Sequence, residues 1–228
     1  MAVCIGYSEQ TERSAQYTSR LRTAQRTAIK RAVLKRLFDL FWSAVGLLFL
    51  SPVLIAIAVA IKLGSRGPVF YRGERVGLNE KRFRMIKFRT MGVDADKTGV
   101  MSTSADDQRI TKIGKFMRDY KLDELPQLIN VFKGEMSLVG PRPQVVAHAE
   151  LYTPAEREVF KVRPGMTDWA SLKFSNEGEI LKGSTDPDKD YFEKIHPEKM
   201  RLAIEYVRTH TLMTDVKIIL QTIAAIFR

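Results

Sequence analysis

The chain is poor in the residues that build cross-links and metal cages. Its 228 residues include one cysteine, Cys4, and three histidines, His148, His196 and His210. A single thiol excludes an internal disulfide, and the histidines lack the spacing of a zinc site. A reducing, cytoplasmic setting follows. Internal repeats and low-complexity tracts are absent, so no repeat architecture is expected. Acidic residues are the minority, 26 against 37 Lys and Arg, for a formal charge of +11. Partners should therefore be anionic: nucleic acid, an acidic membrane face or phosphorylated small molecules. The length suits one domain with a core, or one domain plus an anchor.

Charge is missing altogether from Leu40 to Ile61, "LFWSAVGLLFLSPVLIAIAVAI". That is about the 20 apolar residues needed to cross a bilayer core. The basic segment ahead of it is too long for a signal peptide and no cleavage site follows. Both flanks are basic: Lys30, Arg31, Lys35 and Arg36 precede, and Lys62, Arg66, Arg72 and Arg75 follow. Basic ends stay in the cytoplasm, and one straight helix cannot keep both there. Ser51-Pro52 lies near the midpoint, where proline deletes a backbone hydrogen bond and serine can re-bond the freed carbonyl. The expectation is a re-entrant helical hairpin over residues 33–63, broken at Ser51-Pro52, with a kinked single span as the alternative. Residues 1–32 form a basic N-terminal extension, either disordered or an interfacial helix drawn to acidic lipids. Residues 64–228 are left as the catalytic domain.

Within that domain, "VFYRGERVGLNEKRFRMIKFRTM" from Val69 predicts a small β-hairpin turning at Gly-Leu-Asn. Lys87 and Arg89 share one face of its second strand, suited to phosphate or lipid headgroups. Gly92–Asp107 is a polar loop. Helical patterns cover Arg109–Tyr120, Pro126 to a stop at Gly134, Ala155–Val162, Lys199–Arg208 and Asp215–Phe227. Val216, Ile219, Ile223 and Ile226 mark the last as amphipathic, with a core-packing face. The fold class is α+β, mostly helical.

The densest run of unusual choices is "KLDELPQLINVFKGEMSLVGPRP", Lys121 to Pro143. Asp123 and Glu124 precede the helix opened by Pro126, where free N–H groups and the helix dipole favour negative charge. Acids are common there as caps. Context changes the reading: Arg118 lies one to two turns upstream, and Arg142 is fixed between Pro141 and Pro143. Two acids and two arginines could hold a magnesium-bound diphosphate and leave one carboxylate to attack phosphorus. "DPDKDY" at Asp186 imitates an EF-hand loop but lacks its glycine and final glutamate. "GPRP" at Gly140 matches an SH3 ligand only by proline spacing.

Six segments in order resemble one family. "KRLFDL" at Lys35, "SP" at Ser51, "GPVFYRGERVG" at Gly67, "KFRTM" at Lys87, "LDELPQLINVFKGEMSLVGPRP" at Leu122 and "VRPGMT" at Val162 resemble the bacterial sugar transferases, the monotopic polyprenyl-phosphate phosphoglycosyl transferases. The resemblance covers about residues 33–228. It implies transfer of a sugar-1-phosphate from a UDP-sugar to polyprenyl (undecaprenyl) phosphate, with release of UMP, as the first membrane step of surface glycan synthesis. It implies Asp123 as nucleophile, Glu124 as a ligand of Mg²⁺, and phosphate contacts from Arg118, Arg142, Lys87 and Arg89. It places the domain among membrane lipids at the cytoplasmic face of a bacterial inner membrane, and expects no nucleic-acid partner. A basic nucleic-acid-binding anchor or an inactive scaffold of the family are the rival readings. "DWASLKFSNEGEIL" from Asp168 departs from the family's "GW-AQV-NGR", which leaves the sugar open.

Overall fold

The computed structural model describes residues 2–93, 95, 102–104 and 106–226, without the side chains of residues 2–22, 24, 28 and 226. Half of the expected loop Gly92–Asp107 thus lies outside the described residues. By contacts the chain divides into residues 1–38 and 39–228. The first unit is helical from Ala2, and its Val33, Leu34 and Leu37 are exposed.

Helix α1 runs Ala2–Gly64 with Pro52 inside it. The helix assignment passes through Ser51-Pro52 without interruption, so two separate hairpin helices are not seen. The local chemistry is nonetheless the one anticipated. Pro52 has no N–H for the carbonyl of Leu48, four residues back, and the Ser51 hydroxyl donates to that carbonyl at 2.7 Å. α1 contains the one helix among the described residues long and apolar enough to cross a membrane, Gln25–Gly64, and only 6% of its most apolar window is buried. A core helix would be mostly covered, so this one is a candidate membrane element.

Within the second unit, α1 meets the body at widely separated points. Asp39 is buried and its Oδ1 accepts from the Ser137 hydroxyl at 3.1 Å and the Leu138 N–H at 3.0 Å. Ile61, with Leu54, Ile57 and Ala58, packs on Phe88 and Met117.

Two antiparallel strands follow, β1 (Phe70–Val76) and β2 (Arg82–Phe88), in register from Phe70↔Phe88 to Val76↔Arg82. The turn passes through Asn79 and Glu80, both at positive φ. α2 (Lys112–Asp119) starts three residues later than the pattern suggested, because the Thr111 hydroxyl caps it by accepting from the Gly114 N–H at 3.0 Å. A 3₁₀ turn, Leu122–Glu124, leads into α3 (Gln127–Lys133), for which Pro126 is the cap and Gly134 the left-handed terminator. Asn130 pins α3 to β2: its amide donates to the Arg84 carbonyl at 2.9 Å, and its carbonyl accepts from the Ile86 N–H at 2.9 Å.

β3 (Ser137–Val139) is followed in the chain by β4 (Gln144–Val145), which adds to the edge of β1, and by α4 (Val146–Glu150). β5 (Gly165–Thr167) then pairs in parallel with β3. Gly165 permits this crossing. A Cβ there would lie 2.0 Å from the Gly140 nitrogen, so the two family-like stretches, "GPRP" and "RPGMT", fit backbone to backbone. Short helices α5 (Trp169–Lys173), α6 (Glu177–Ile180) and α7 (Pro187–Asp190) follow, and a π-turn from Tyr191 to Ile195 feeds α8 (His196–Thr209). α7 occupies the stretch that imitates a calcium loop.

α9 (Leu212–Ile226) packs its face through Ile218 on Val139 and Tyr206. Ile223, expected inside, is 48% exposed. The face is rotated because buried Asp215 accepts from the Tyr206 hydroxyl at 2.6 Å, which draws a polar position inward. The fold class is as expected: mostly helical α+β, with a small hairpin-based sheet.

Candidate active site

The 3₁₀ turn after α2 sets two neighbouring carboxylates in one cleft of about 1470 Å³. Lys121 enters the turn at φ 55°, which reverses the chain sharply before Asp123. Glu124 Oε1 accepts from Lys87 Nζ at 2.6 Å and from Arg142 Nη2 at 2.7 Å. Burial alone would raise the Glu124 pKa, but Arg142 and Lys87 together hold it well below the usual carboxylate range. Glu124 in turn raises the Arg142 pKa, whereas burial lowers that of Lys87 despite its partner.

Asp123 is 7% exposed, and no side-chain hydrogen bond reaches it among the described residues. Burial pushes its pKa up, with Glu124 adding to the effect and Lys87, Arg118 and Arg142 opposing it. A buried carboxylate with cations near but not bonded to it is more basic and less masked than its neighbour, which suits attack on an electrophile.

The other expected residues divide. Arg118 Nε donates to the Thr90 hydroxyl at 3.0 Å, on the wall beside Asp123. Its placement depends on Gly114, where a Cβ would sit 1.9 Å from the Thr90 carbonyl oxygen; only glycine lets α2 approach that closely. Arg142 spends one nitrogen on Glu124, and its guanidinium makes no other hydrogen bond among the described residues. Arg89 turns away. Its guanidinium donates to the Arg66 carbonyl at 2.8 Å and to the Ser65 carbonyl and hydroxyl at 3.2 and 2.6 Å, so it fastens the segment after α1. β2 ends at Phe88, so Arg89 lies just outside the strand whose alternation was expected to set it beside Lys87.

Sequence reasoning missed Asp39. Its signal was a lone acid at the edge of an uncharged run, where a charge is worth keeping only if buried partners meet it. It also missed the lining from α6 and α8, where Glu177 pairs with Lys199. No group of three or more His, Cys, Asp or Glu is placed to hold a metal among the described residues. Glu124 takes both of its contacts on Oε1, so its other oxygen would fit Mg²⁺ of the phosphate-site kind, which takes one or two carboxylates and fills its shell with water and substrate phosphates.

Arginines, a lysine and adjacent carboxylates around one cleft make an anion-handling centre. The chain belongs to the bacterial sugar transferase family, whose model matches residues 30–228. It is 40% identical over 194 residues to the UDP-glucose:undecaprenyl-phosphate glucose-1-phosphate transferase of Escherichia coli K12, covering 84% of this chain and 39% of that protein. It is 42% identical over 196 residues to the undecaprenyl-phosphate glucose phosphotransferase of Komagataeibacter xylinus, covering 83% and 35%. With the exopolysaccharide production protein PSS of Rhizobium leguminosarum it shares 39% identity over 204 residues, covering 85% and 94%. The chain thus spans under two fifths of the first two relatives and nearly all of the third.

Proposed function

We propose that this chain transfers a sugar-1-phosphate from a UDP-sugar to polyprenyl (undecaprenyl) phosphate, releasing UMP, through a covalent intermediate on Asp123. The observation that carries the reading is the contrast inside one turn: Glu124 clamped by Lys87 and Arg142, Asp123 buried beside them with its carboxylate unbonded. The names of the relatives supply the substrate classes. A carboxylate oxygen of Asp123 attacks the sugar-bearing phosphorus, and the bond to UMP breaks with its electron pair leaving on UMP. An oxygen of the polyprenyl phosphate then attacks the same phosphorus, and the bond to Asp123 breaks, restoring the carboxylate. Arg142 and Arg118 hold phosphate oxygens, and the planar guanidinium fits them better than an ammonium. Mg²⁺, when bound at Glu124, supplies charge neutralisation for the diphosphate.

The same reading places residues 33–63 in the cytoplasmic leaflet of a bacterial inner membrane as a re-entrant element bent at Ser51-Pro52. Support comes from Asp39 and Ile61, at the two ends of the uncharged run. Both are buried against the body of residues 39–228, whereas a straight span would carry one of them across about 30 Å of hydrocarbon.

The test is UMP release from a panel of UDP-sugars with undecaprenyl phosphate and Mg²⁺. Without acceptor, about one UMP per enzyme should appear, with the sugar phosphate found by mass spectrometry on the Asp123 peptide. UMP release that waits for polyprenyl phosphate, together with turnover by Asp123→Asn, would overturn the covalent route.

A further inference from the structure

The cleft continues past Arg142 to a second, half-buried ion pair that the chemistry at Asp123 does not use. Glu177, at the start of α6, is paired with Lys199 on α8, and both line the cleft. Lys199 also lies 5.2 Å from the centre of the Tyr191 ring. Glu177 and Lys199 are both within electrostatic reach of Arg142, whose other side grips Glu124. The pair is therefore about one arginine away from the reacting carboxylates. Behind Tyr191 the wall holds two hydrogen-bonding atoms without partners among the described residues, Nε2 of His148 and the hydroxyl of Tyr152, each on a residue 5% exposed.

We infer that Glu177 and Lys199, backed by Tyr191, form the subsite that reads the hydroxyl groups of the donor's hexose; this rests on the reaction proposed above. Three arguments select hydroxyls over the other parts of a nucleotide sugar. A carboxylate repels phosphate, and the lysine beside it already has its countercharge, so the pair does not serve the diphosphate. A planar base needs a slot between faces, but here the rings lie on one another: His148 on Tyr191 at 5.6 Å and 21°, and Tyr152 on Phe160 at 5.9 Å and 20°. A neutralised pair that is still partly open, with the Glu177 side chain 32% exposed, retains one kind of capacity, which is accepting from and donating to neutral polar groups. The unpartnered His148 and Tyr152 atoms add capacity in the same wall. A site of this kind discriminates strongly, because a missing hydroxyl leaves buried polar groups unpaired.

The experiment uses full-length enzyme with UDP-glucose, UDP-galactose, their N-acetylhexosamine counterparts and the single-deoxy analogues of the best donor. Glu177→Gln keeps the shape and a hydrogen bond to Lys199 while removing the charge-assisted acceptor. It should lower kcat/KM for the best donor about ten- to hundredfold while leaving one deoxy analogue nearly unaffected, and leave inhibition by UMP unchanged. Tyr152→Phe, which removes one oxygen, is the second variant and should narrow the same ratio. Equal losses on all donors, weakened UMP inhibition or unchanged selectivity in both variants would overturn the subsite. Wild-type enzyme that releases UMP from no donor would instead overturn the reaction itself.

Discussion

The two sides of the Leu122–Glu124 turn are one residue apart and electrostatically opposite. On the Glu124 side, two cations touch a single carboxylate oxygen, and the acid stays ionised far below its ordinary range. On the Asp123 side, burial dominates and the same cations act only across space, so the pKa rises. Desolvation is paid on both sides, but only one side is repaid by contact. The lesson is a division of labour. The neighbour that is satisfied organises the cleft, and the one left unsatisfied is kept reactive.

Breaking the reactive side should have the largest effect. Asp123→Asn is expected to abolish turnover and the covalent adduct, read by UMP release and mass spectrometry. It should also stabilise the protein at neutral pH. A raised pKa means that Asp123 supports the fold best below its ordinary value near 3.8, and that this support is lost as pH rises through the higher folded value. Asparagine removes that loss, so the melting temperature should rise at pH 7 and converge with wild type at low pH. In wild type, activity should fall on acidification through a limb above 3.8, because the protonated acid is not a nucleophile.

Breaking the satisfied side should invert the stability result. Glu124→Gln loses two charge-assisted contacts, so both activity and melting temperature should fall at pH 7. A depressed pKa contributes stability above the ordinary value near 4.5 and loses it as pH falls through the lower folded value. The stability gap to wild type should therefore be full above pH 4.5 and close in stronger acid. If both variants shift stability in the same direction, the contrast between the two sides is wrong. Glu124→Gln should also raise the Mg²⁺ concentration needed for half-maximal rate, since an amide is a poorer ligand for a hard cation.

Arg142→Lys sharpens the comparison from the cation's side. An ammonium could still meet Glu124, but it has no planar fork left over for phosphate oxygens. Activity should drop about ten- to hundredfold, from the roughly 1.5–3 kcal/mol of a charged hydrogen bond, while the melting temperature changes little.

Much of this centre was legible before any coordinates. Asp-Glu before a proline, Arg142 between two prolines and Lys87 on a strand face each come from local rules, and local rules survive folding. The parts that were not legible depend on distant pairings. Arg89 was expected on one face with Lys87, but its guanidinium is taken by the carbonyls of Ser65 and Arg66, 24 and 23 residues back. Asp39 makes sense only once β3 lies beside it, 98 residues later. The rotated face of α9 follows from one buried Tyr206–Asp215 bond, which no hydrophobic periodicity encodes. The helix through Ser51-Pro52 was read correctly at the level of one carbonyl, while its bend belongs to the membrane proposal.

The smallest expected effect concerns Arg118, which reaches Asp123 only through space and does not touch Glu124 either. Its Nε is steered by the Thr90 hydroxyl, and Thr90→Val deletes that acceptor while keeping the shape of the side chain. The lost bond is worth about 0.5–1.5 kcal/mol, so kcat/KM should fall a few-fold, with the covalent step intact. The acid limb of the pH profile should move slightly upward, because Arg118 helps to hold Asp123 down against burial and would do so less well from a looser position. Gly114→Ala attacks the same arginine through the backbone, by forcing α2 off the Thr90 carbonyl, and should reproduce the limb shift with a larger loss of stability. A Thr90→Val enzyme with an unmoved limb and unchanged rate would mean that Arg118 acts on the fold and not on Asp123.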